Sequence, residues 1–261
     1  MTEVTGGTLD VGLGPIEYVE IGPATGEGEG QAPLVFLHEG LGSVELWRSF
    51  PTDVVAATGR RALVFSRHGY GASAVVREPR GVDYMHREGI DVLPAVLDAL
   101  GYDDPVLVGH SDGASIALIA AGSGAVEPAG LVLLAPHVIV EDRSIEGIER
   151  AKQVYETTDM GTRMGRYHAD ADATFWGWND IWLDPAFRAW DIRDVLAGVR
   201  CPTLCVQGVD DEYGTMRQLD EIADRVRGPV TRIELEDCGH APHLDRPEAT
   251  REAVTRFVAD L

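Results

Sequence analysis

The chain has 261 residues, enough for one large hydrophobic core with at most one inserted subdomain. Its 22 basic and 43 acidic side chains give a formal net charge of −21, which disfavours nucleic acid and anionic membrane surfaces as partners. Three cysteines lack metal-finger spacing, the N-terminal residues lack a secretory pattern, and no apolar run is long enough to span a membrane. These features together predict a cytoplasmic protein and leave its oligomeric state open.

The first half of the chain predicts short buried strands that alternate with helices. Residues 2–21 predict an antiparallel hairpin, and the Gly- and Glu-rich segment 22–31 predicts an exposed loop. Further strands are predicted at 34–37, 62–65, 105–108 and 131–134, and helices at 47–58, 84–100 and 114–121. This alternation is typical of a mainly parallel sheet covered by helices on both faces.

The alternation stops between residues 139 and 193, where the sequence is polar, helical in pattern and rich in tryptophan. Strands are again predicted at 203–206 and 231–235, with helices at 214–227 and 247–261. We therefore expect an α/β core formed by residues 1–138 and 194–261, with a helical cap inserted at 139–193.

The pentapeptide Gly109–Gly113 has the pattern Gly-x-Ser-x-Gly and carries the strongest functional signal in the chain. It lies between the apolar run Pro105–Val108 and the small-residue helix Ala114–Ala121, which is the setting of a nucleophile elbow. The two glycines allow a tight strand-to-helix turn, and the turn places Ser111 at a helix N-terminus that favours developing negative charge. Ser111 is therefore the predicted nucleophile.

A serine nucleophile needs a base and an acid that orients the base, and both residue types follow predicted strands. Asp210 and Asp211 follow the strand that begins at Thr203, and His240 follows the one that begins at Thr231. Because the carboxyl ends of parallel strands meet at one edge of a sheet, we expect these groups to converge on Ser111.

These motifs, in the chain order Ser…Asp…His, resemble those of the α/β-hydrolase superfamily over nearly the whole chain. The resemblance implies an α/β fold with a mostly parallel eight-stranded sheet, helices on both faces and an inserted helical cap. It also implies that Asp211, in a Gly-x-x-Asp pattern, is the acid in preference to Asp210, and that His240 after Gly239 is the base. Glu141 or Asp142 as the acid, and His243 as the base, remain as alternatives.

The same resemblance implies an oxyanion hole formed by the backbone N–H groups of Asp112 and Gly40. Glu39 departs from the glycine usual in the family at that position. Asp112 is not expected to be the nucleophile, because a frame centred on it would put the bulky His110 where the turn needs glycine. Its side chain is expected to cap the following helix instead.

The predicted substrate-binding residues are Glu39 and Leu41 in the oxyanion loop and three aromatic residues of the cap, Trp176, Trp178 and Trp182. Together with Phe175, these tryptophans predict an apolar roof over the site and a substrate with a hydrophobic portion. The His240-x-x-His243 pair has no further ligand to support a metal site, and the turn at residues 67–73 is interpreted as structural.

We expect a cofactor-independent serine hydrolase that cleaves a carboxylic ester or lactone through an acyl-enzyme. Its partner is a small-molecule substrate, and no metal or organic cofactor is expected. Hydrolysis of a C–C bond in a dienoic or β-dicarbonyl compound is the first alternative, because the family performs it with the same three residues. Ligand binding without turnover on the same fold is the second.

Overall fold

An eight-stranded sheet organises the protein, which the computed structural model describes over residues 2–23 and 30–261. Its strands lie in the order β1-β2-β4-β3-β5-β6-β7-β8. Their bounds are Thr2–Asp10 (β1), Pro15–Pro23 (β2), Leu34–Leu37 (β3), Ala62–Phe65 (β4), Val106–His110 (β5), Gly130–Leu134 (β6), Thr203–Gly208 (β7) and Val230–Leu235 (β8). The hairpin β1–β2 joins the sheet antiparallel, and β4, β3, β5, β6, β7 and β8 pair in parallel. The predicted mostly parallel, eight-stranded α/β fold is confirmed.

Helices surround this sheet close to the predicted positions. They are Phe50–Thr58 (α1), Tyr84–Arg87 (α2), Leu93–Leu100 (α3), Asp112–Ser123 (α4), Asp142–Thr157 (α5), Met160–Met164 (α6), Ala171–Leu183 (α7), Arg217–Arg225 (α8), Pro242–Asp245 (α9) and Pro247–Ala259 (α10). The helix predicted at 84–100 is interrupted by a π-helical turn at Glu88–Val92. Within the loop predicted at 22–31, residues 24–29 lie outside the described residues.

The two faces of the sheet bury two separate sets of apolar side chains. In β3, Val35 and Leu37 belong to one set and Leu34 and Phe36 to the other, because successive side chains of a strand point to opposite faces. The first set packs against α3, α4 and the segment 139–193, and the second packs against α1 and α10. Burial on both faces explains why these strands appear in the sequence as continuous apolar runs.

Residues 139–193 contain α5, α6 and α7 and leave and rejoin the core at one point. An isolated antiparallel bridge between Ile139 and Asp191 brings the two ends of the segment together. Inside the segment, Asn179 of α7 donates a hydrogen bond to the carbonyl of Ile148 in α5 (3.1 Å). The Asp170 side chain accepts from the N–H of Ala173 and caps the start of α7.

Two further features concern membranes and thiols. Among the residues with described coordinates, no helix is long and apolar enough to cross a membrane. Cys201, Cys205 and Cys238 are free thiols. Burial raises the pKa of the Cys205 thiol to about 12, so this group is inert rather than nucleophilic.

Candidate active site

Ser111 stands on a sharp turn between β5 and α4. Its backbone has φ 52° and ψ −117°, a conformation that L-residues seldom adopt. A Cβ atom at Gly109 would overlap the carbonyl oxygen of Gly113, and one at Gly113 would overlap the carbonyl oxygen of Leu37. Both flanking positions therefore require glycine, for the steric reason that underlies the Gly-x-Ser-x-Gly pattern.

His240 links this serine to a carboxylate through its two ring nitrogens. Its Nε2 lies 2.9 Å from the Oγ of Ser111, and its Nδ1 lies 2.8 Å from Oδ1 of Asp211. A carboxylate only accepts, so Nδ1–H donates to Asp211 and Nε2 is free to accept the serine hydroxyl proton. Burial lowers the pKa of His240, but the charge and hydrogen bond of Asp211 outweigh burial and raise it above its ordinary value.

Asp211 is held by donors from its own loop as well as by His240. Its Oδ1 accepts from the N–H groups of Tyr213 (2.8 Å) and Gly214 (3.2 Å), and its Oδ2 accepts from the side-chain amide of Gln207 (3.1 Å). Burial opposes ionisation, yet the charge and hydrogen bond of His240 outweigh it and lower the pKa of Asp211 to about 2. Gln207 was not predicted, although its position near the end of β7 could have suggested a role at this edge.

The two alternative acids lie elsewhere. The carboxylate of Glu141 accepts hydrogen bonds from Thr215 and Gln218, and that of Asp142 pairs with Arg188. Neither of these acids contacts His240 in the structure. Of the acids considered from sequence, Asp211 is the one that the fold brings to the imidazole.

The alternative base, His243, lies in α9 away from the serine. Its ring packs against those of Trp47 (4.9 Å between centroids) and Phe50 (5.5 Å). Burial lowers the pKa of His243 to about 3 and keeps the ring neutral. Within residues 2–23 and 30–261, no group of three or more His, Cys, Asp or Glu side chains could hold a metal ion.

The backbone N–H groups of Gly40 and Asp112 belong to residues that line the cavity in front of Ser111. Neither N–H has a protein acceptor in the part of the chain that the structure describes. The indole of Trp178 packs directly on Gly40, where a Cβ would overlap its nitrogen. Two unpaired amides beside a nucleophile are suited to bind an oxyanion.

The side chain of Asp112 corrects one prediction, because it does not cap α4. Ser111 occupies the N-cap position, and the Asp112 carboxylate turns inward, where it accepts a hydrogen bond from the Tyr84 hydroxyl (2.7 Å). It also lies 3.9 Å from Nη2 of the buried Arg67. Arg67 in turn donates to the carbonyl oxygen of Glu39 (2.9 Å), so the turn at residues 67–73 braces the oxyanion loop.

A cavity of about 310 Å³ opens in front of Ser111, which suits a small organic ligand. Its walls combine the catalytic edge of the sheet with residues from α5 and α7. The lining residues are Glu39, Gly40, Leu41, His110, Ser111, Asp112, His137, Ser144, Ile148, Trp178, Trp182, Glu212, Tyr213, His240, Ala241 and Asp245. Glu39, Leu41, Trp178 and Trp182 thus lie where the sequence predicted substrate contacts.

Trp176, also predicted to bind substrate, is not among the residues that line this cavity. Its half-buried ring lies 5.6 Å from Nζ of Lys152 and 5.7 Å from the ring of Tyr155. Trp178 and Trp182 are four residues apart and share one helix face, whereas Trp176 lies two residues from Trp178 and points elsewhere. The fully buried Phe175 also lies outside the cavity lining. Helical spacing within α7 could have separated these residues.

His137 is a cavity residue that sequence reasoning missed. It follows β6 at the carboxyl edge of the sheet, and its ring centroid lies 5.4 Å from that of His240. Burial, reinforced by the nearby charge of His240, lowers the pKa of His137 to about 3, so the ring is neutral at physiological pH. The rule that ligand-binding residues follow strand ends could have identified it.

The fold and this edge of the sheet define the class of protein. Residues 34–253 match the model of the alpha/beta hydrolase family, and the chain belongs to that family.

Individual relatives share less of the sequence. The chain is 31% identical over 94 residues to proline iminopeptidase of Lactobacillus delbrueckii subsp. lactis, a match that spans 36% of this chain and 32% of that protein. It is similar in structure to proline iminopeptidase of Mycobacterium smegmatis, with a TM-score of 0.75, 19% identity and 98% of both chains covered. It is also similar to the enol-lactonase from Burkholderia xenovorans LB400, with a TM-score of 0.74, 20% identity and coverage of 97% of this chain and 100% of that one.

Proposed function

We propose that this protein is a serine hydrolase that cleaves a carboxylic ester or lactone with a hydrophobic portion. The observation that carries the proposal is the continuous hydrogen-bonded chain from the Ser111 hydroxyl through His240 to Asp211. In a chain of this kind the imidazole accepts the serine proton while the carboxylate holds the required tautomer. Membership of the alpha/beta hydrolase family supports hydrolysis in general.

The geometry supports an acyl-enzyme mechanism with two proton transfers. His240 removes the hydroxyl proton as Ser111 attacks the carbonyl carbon, and the oxyanion is held by the N–H groups of Gly40 and Asp112. The imidazolium, stabilised by Asp211, then protonates the leaving alkoxide and the acyl-enzyme forms. A water molecule, deprotonated by His240, attacks the acyl carbon and releases the acid and Ser111.

The charges around the cavity favour an uncharged substrate. The acidic residues Glu39, Glu212 and Asp245 are part of its lining, and none of its described lining residues is lysine or arginine. A dienoic acid, one of the two substrate types of the C–C hydrolase alternative, carries a carboxylate at neutral pH and would find no lysine or arginine there. An ester or lactone avoids this repulsion.

We also propose that residues 139–193 act as a cap that shapes the acyl pocket. This segment supplies four of the lining residues, Ser144 and Ile148 from α5 and Trp178 and Trp182 from α7. The two indoles and the isoleucine provide the apolar surface that a hydrophobic substituent would occupy. The same apolar wall is suited to exclude water from the reacting carbonyl.

A fluorophosphonate probe tests whether Ser111 is a nucleophile. The wild-type protein should be labelled at Ser111, as shown by peptide mass spectrometry, and Ser111→Ala should be unlabelled while its circular dichroism is unchanged. Failure of the folded wild-type protein to react would instead favour ligand binding without turnover.

A substrate panel then separates the reaction classes. It would contain p-nitrophenyl acetate and butyrate, a γ-lactone, an anionic dienoic ring-cleavage product, and proline p-nitroanilide because of the 94-residue match to proline iminopeptidase. We expect the highest kcat/KM on a neutral ester or lactone. Turnover of the dienoic acid or of the anilide orders of magnitude faster than every ester would contradict the proposal.

A further inference from the structure

A buried histidine and the unusual acid of the oxyanion loop form a charged pair beside the nucleophile. His110 is the last residue of β5 and directly precedes Ser111, and its side chain is 3% exposed. Its Nδ1 lies 3.5 Å from Oε2 of Glu39, the residue directly before Gly40. Its Nε2 lies 2.7 Å from the backbone carbonyl oxygen of His240.

The partners of the two ring nitrogens determine where the protons are. A backbone carbonyl only accepts, so Nε2 of His110 must carry a proton to bond with His240. A carboxylate also only accepts, so Nδ1 needs a second proton to face Glu39 favourably. Burial raises the pKa of the Glu39 carboxyl, but the hydrogen bond and charge of His110 outweigh it and hold that pKa far below its ordinary value. The structure thus places the ionised carboxylate of Glu39 opposite Nδ1 of a buried ring whose Nε2 already donates a hydrogen bond.

We propose that the Glu39–His110 ion pair is a positioning device that ties together the three loops of the catalytic site. Its members directly precede the oxyanion residue Gly40 and the nucleophile Ser111, and it bonds to the backbone of the base His240. Neither side chain touches the reacting atoms in the mechanism proposed above. The inference rests on that mechanism for its catalytic consequence and on the geometry alone for the pair itself.

A neutral His110 ring could not bond favourably with both Glu39 and the His240 carbonyl. With one proton, His110 would present a lone pair either to the Glu39 carboxylate or to the His240 carbonyl, and each arrangement is repulsive. The ring is almost fully buried, so water cannot relieve such a mismatch. The site thus uses the charge of His110 and not only its shape.

The pair also contributes to the field at the catalytic base. The titratable groups that face His110 are Glu39 from the oxyanion loop, His137 after β6, and His240 and His243 after β8. The Glu39 charge raises the pKa of His240, whereas His137 and His243 are held neutral.

Kinetics of matched variants test the positioning role. Glu39→Gln and His110→Gln should each lower kcat on p-nitrophenyl acetate by about 10²-fold, the cost expected when reacting groups are misplaced by about 1 Å, with a smaller change in KM. The double variant should be no slower than the slower single variant, because the two side chains act as one unit. Rates would be normalised to sites labelled by fluorophosphonate, so that loss of folded protein does not imitate loss of kcat.

Two exposed or half-buried residues outside the site serve as controls. Glu45 lies just after the oxyanion loop and His86 lies in α2. The variants Glu45→Gln and His86→Gln should both keep the wild-type kcat and pH profile. A Glu39→Gln protein with kcat within twofold of that of the Glu45→Gln protein would overturn the positioning role.

An NMR measurement tests the pair independently of catalysis. In ¹⁵N-labelled wild-type protein at pH 7, both ring nitrogens of His110 should be protonated, and Glu39→Gln should remove one of these protons. A single protonated nitrogen in the wild-type protein would overturn the inference. Absence of any esterase activity or labelling would refute the proposed function, whereas the protonation of His110 would still decide whether the ion pair exists.

Discussion

At the residue scale, the nucleophile position combines two conflicting demands. Its backbone conformation, φ 52° and ψ −117°, suits glycine, but the chemistry needs a hydroxyl. A non-glycine residue held in such a region costs on the order of 1–3 kcal/mol, and the surrounding sheet and helix must supply that free energy. The sequence pattern predicted this turn because only glycine fits at positions 109 and 113.

Replacing Ser111 in two ways should separate strain from chemistry. Ser111→Ala and Ser111→Gly should both abolish turnover, but the glycine variant should be more stable than the alanine variant by about 1 kcal/mol, because it relieves the positive φ. Urea unfolding of both variants measures the difference. An alanine variant at least as stable as the glycine variant would show that the turn is not strained.

The orienting acid could be chosen from sequence only with the help of a family pattern, since Asp210 and Asp211 are adjacent. The structure separates them, because Asp211 is buried against His240 and Asp210 is exposed. The contact between Glu39 and His110, 71 positions apart, has no sequence signal at all. It depends on the parallel pairing of β3 with β5, which brings their carboxyl ends together.

The two neighbouring aspartates provide a matched pair of variants. Asp211→Asn should lower kcat/KM by roughly 10⁴-fold, because an amide cannot stabilise the imidazolium and favours the wrong tautomer. Asp210→Asn should remain within a few-fold of wild type, since its side chain contacts no catalytic group. Steady-state kinetics on the best ester of the panel measures both variants. Equal losses of kcat/KM would contradict the assignment of Asp211 as the acid.

At the scale of elements, the central strands β3, β5 and β6 were predicted well because each is a short apolar run buried on both faces. The long helix at 84–100 was predicted less well, since its π-helical turn depends on tertiary contact. Gly89 in that turn approaches the backbone of α4 so closely that a Cβ would lie 2.9 Å from the carbonyl oxygen of Ile116. Periodicity in the sequence describes one helix at a time and carries no information about such an approach.

Replacing a helical glycine by alanine should have opposite effects on stability at two positions. Gly177 lies inside α7 with room for a Cβ, so Gly177→Ala should stabilise the protein by about 0.5–1 kcal/mol. Gly113 in α4 has the Leu37 carbonyl in that space, so Gly113→Ala should destabilise it by several kcal/mol or prevent folding. Thermal unfolding compares them, and a stabilising Gly113→Ala would contradict the elbow geometry.

At the scale of the whole molecule, the active-site edge and its surroundings bury several neutral histidines. Burial lowers the pKa values of His38, His137, His168 and His243 below the ordinary value of 6.5. The folded protein therefore binds fewer protons than the unfolded chain as the pH falls below about 6.5. Composition predicted a cytoplasmic acidic protein but could not indicate this, because the burial of each ring depends on the assembled fold.

Stability should consequently fall with pH before the carboxylates titrate. Each such histidine contributes a slope of up to about 1.4 kcal/mol per pH unit, with stability rising as pH rises, because the unfolded state binds more protons. The urea midpoint should drop clearly between pH 7 and pH 5. An unchanged midpoint over that interval would mean that the rings take up protons in the folded state.

The residues of the proposed active site come from four places in the chain, at 39–40, 110–112, 211 and 240, which only the pairing of distant strands brings together. No local fragment contains a working subset of them. During refolding, competence to react with a fluorophosphonate should therefore lag behind the recovery of helical signal, because it requires the last parallel strand, β8, to dock against β7. The time course of covalent labelling at the serine would therefore report when the native strand order is complete.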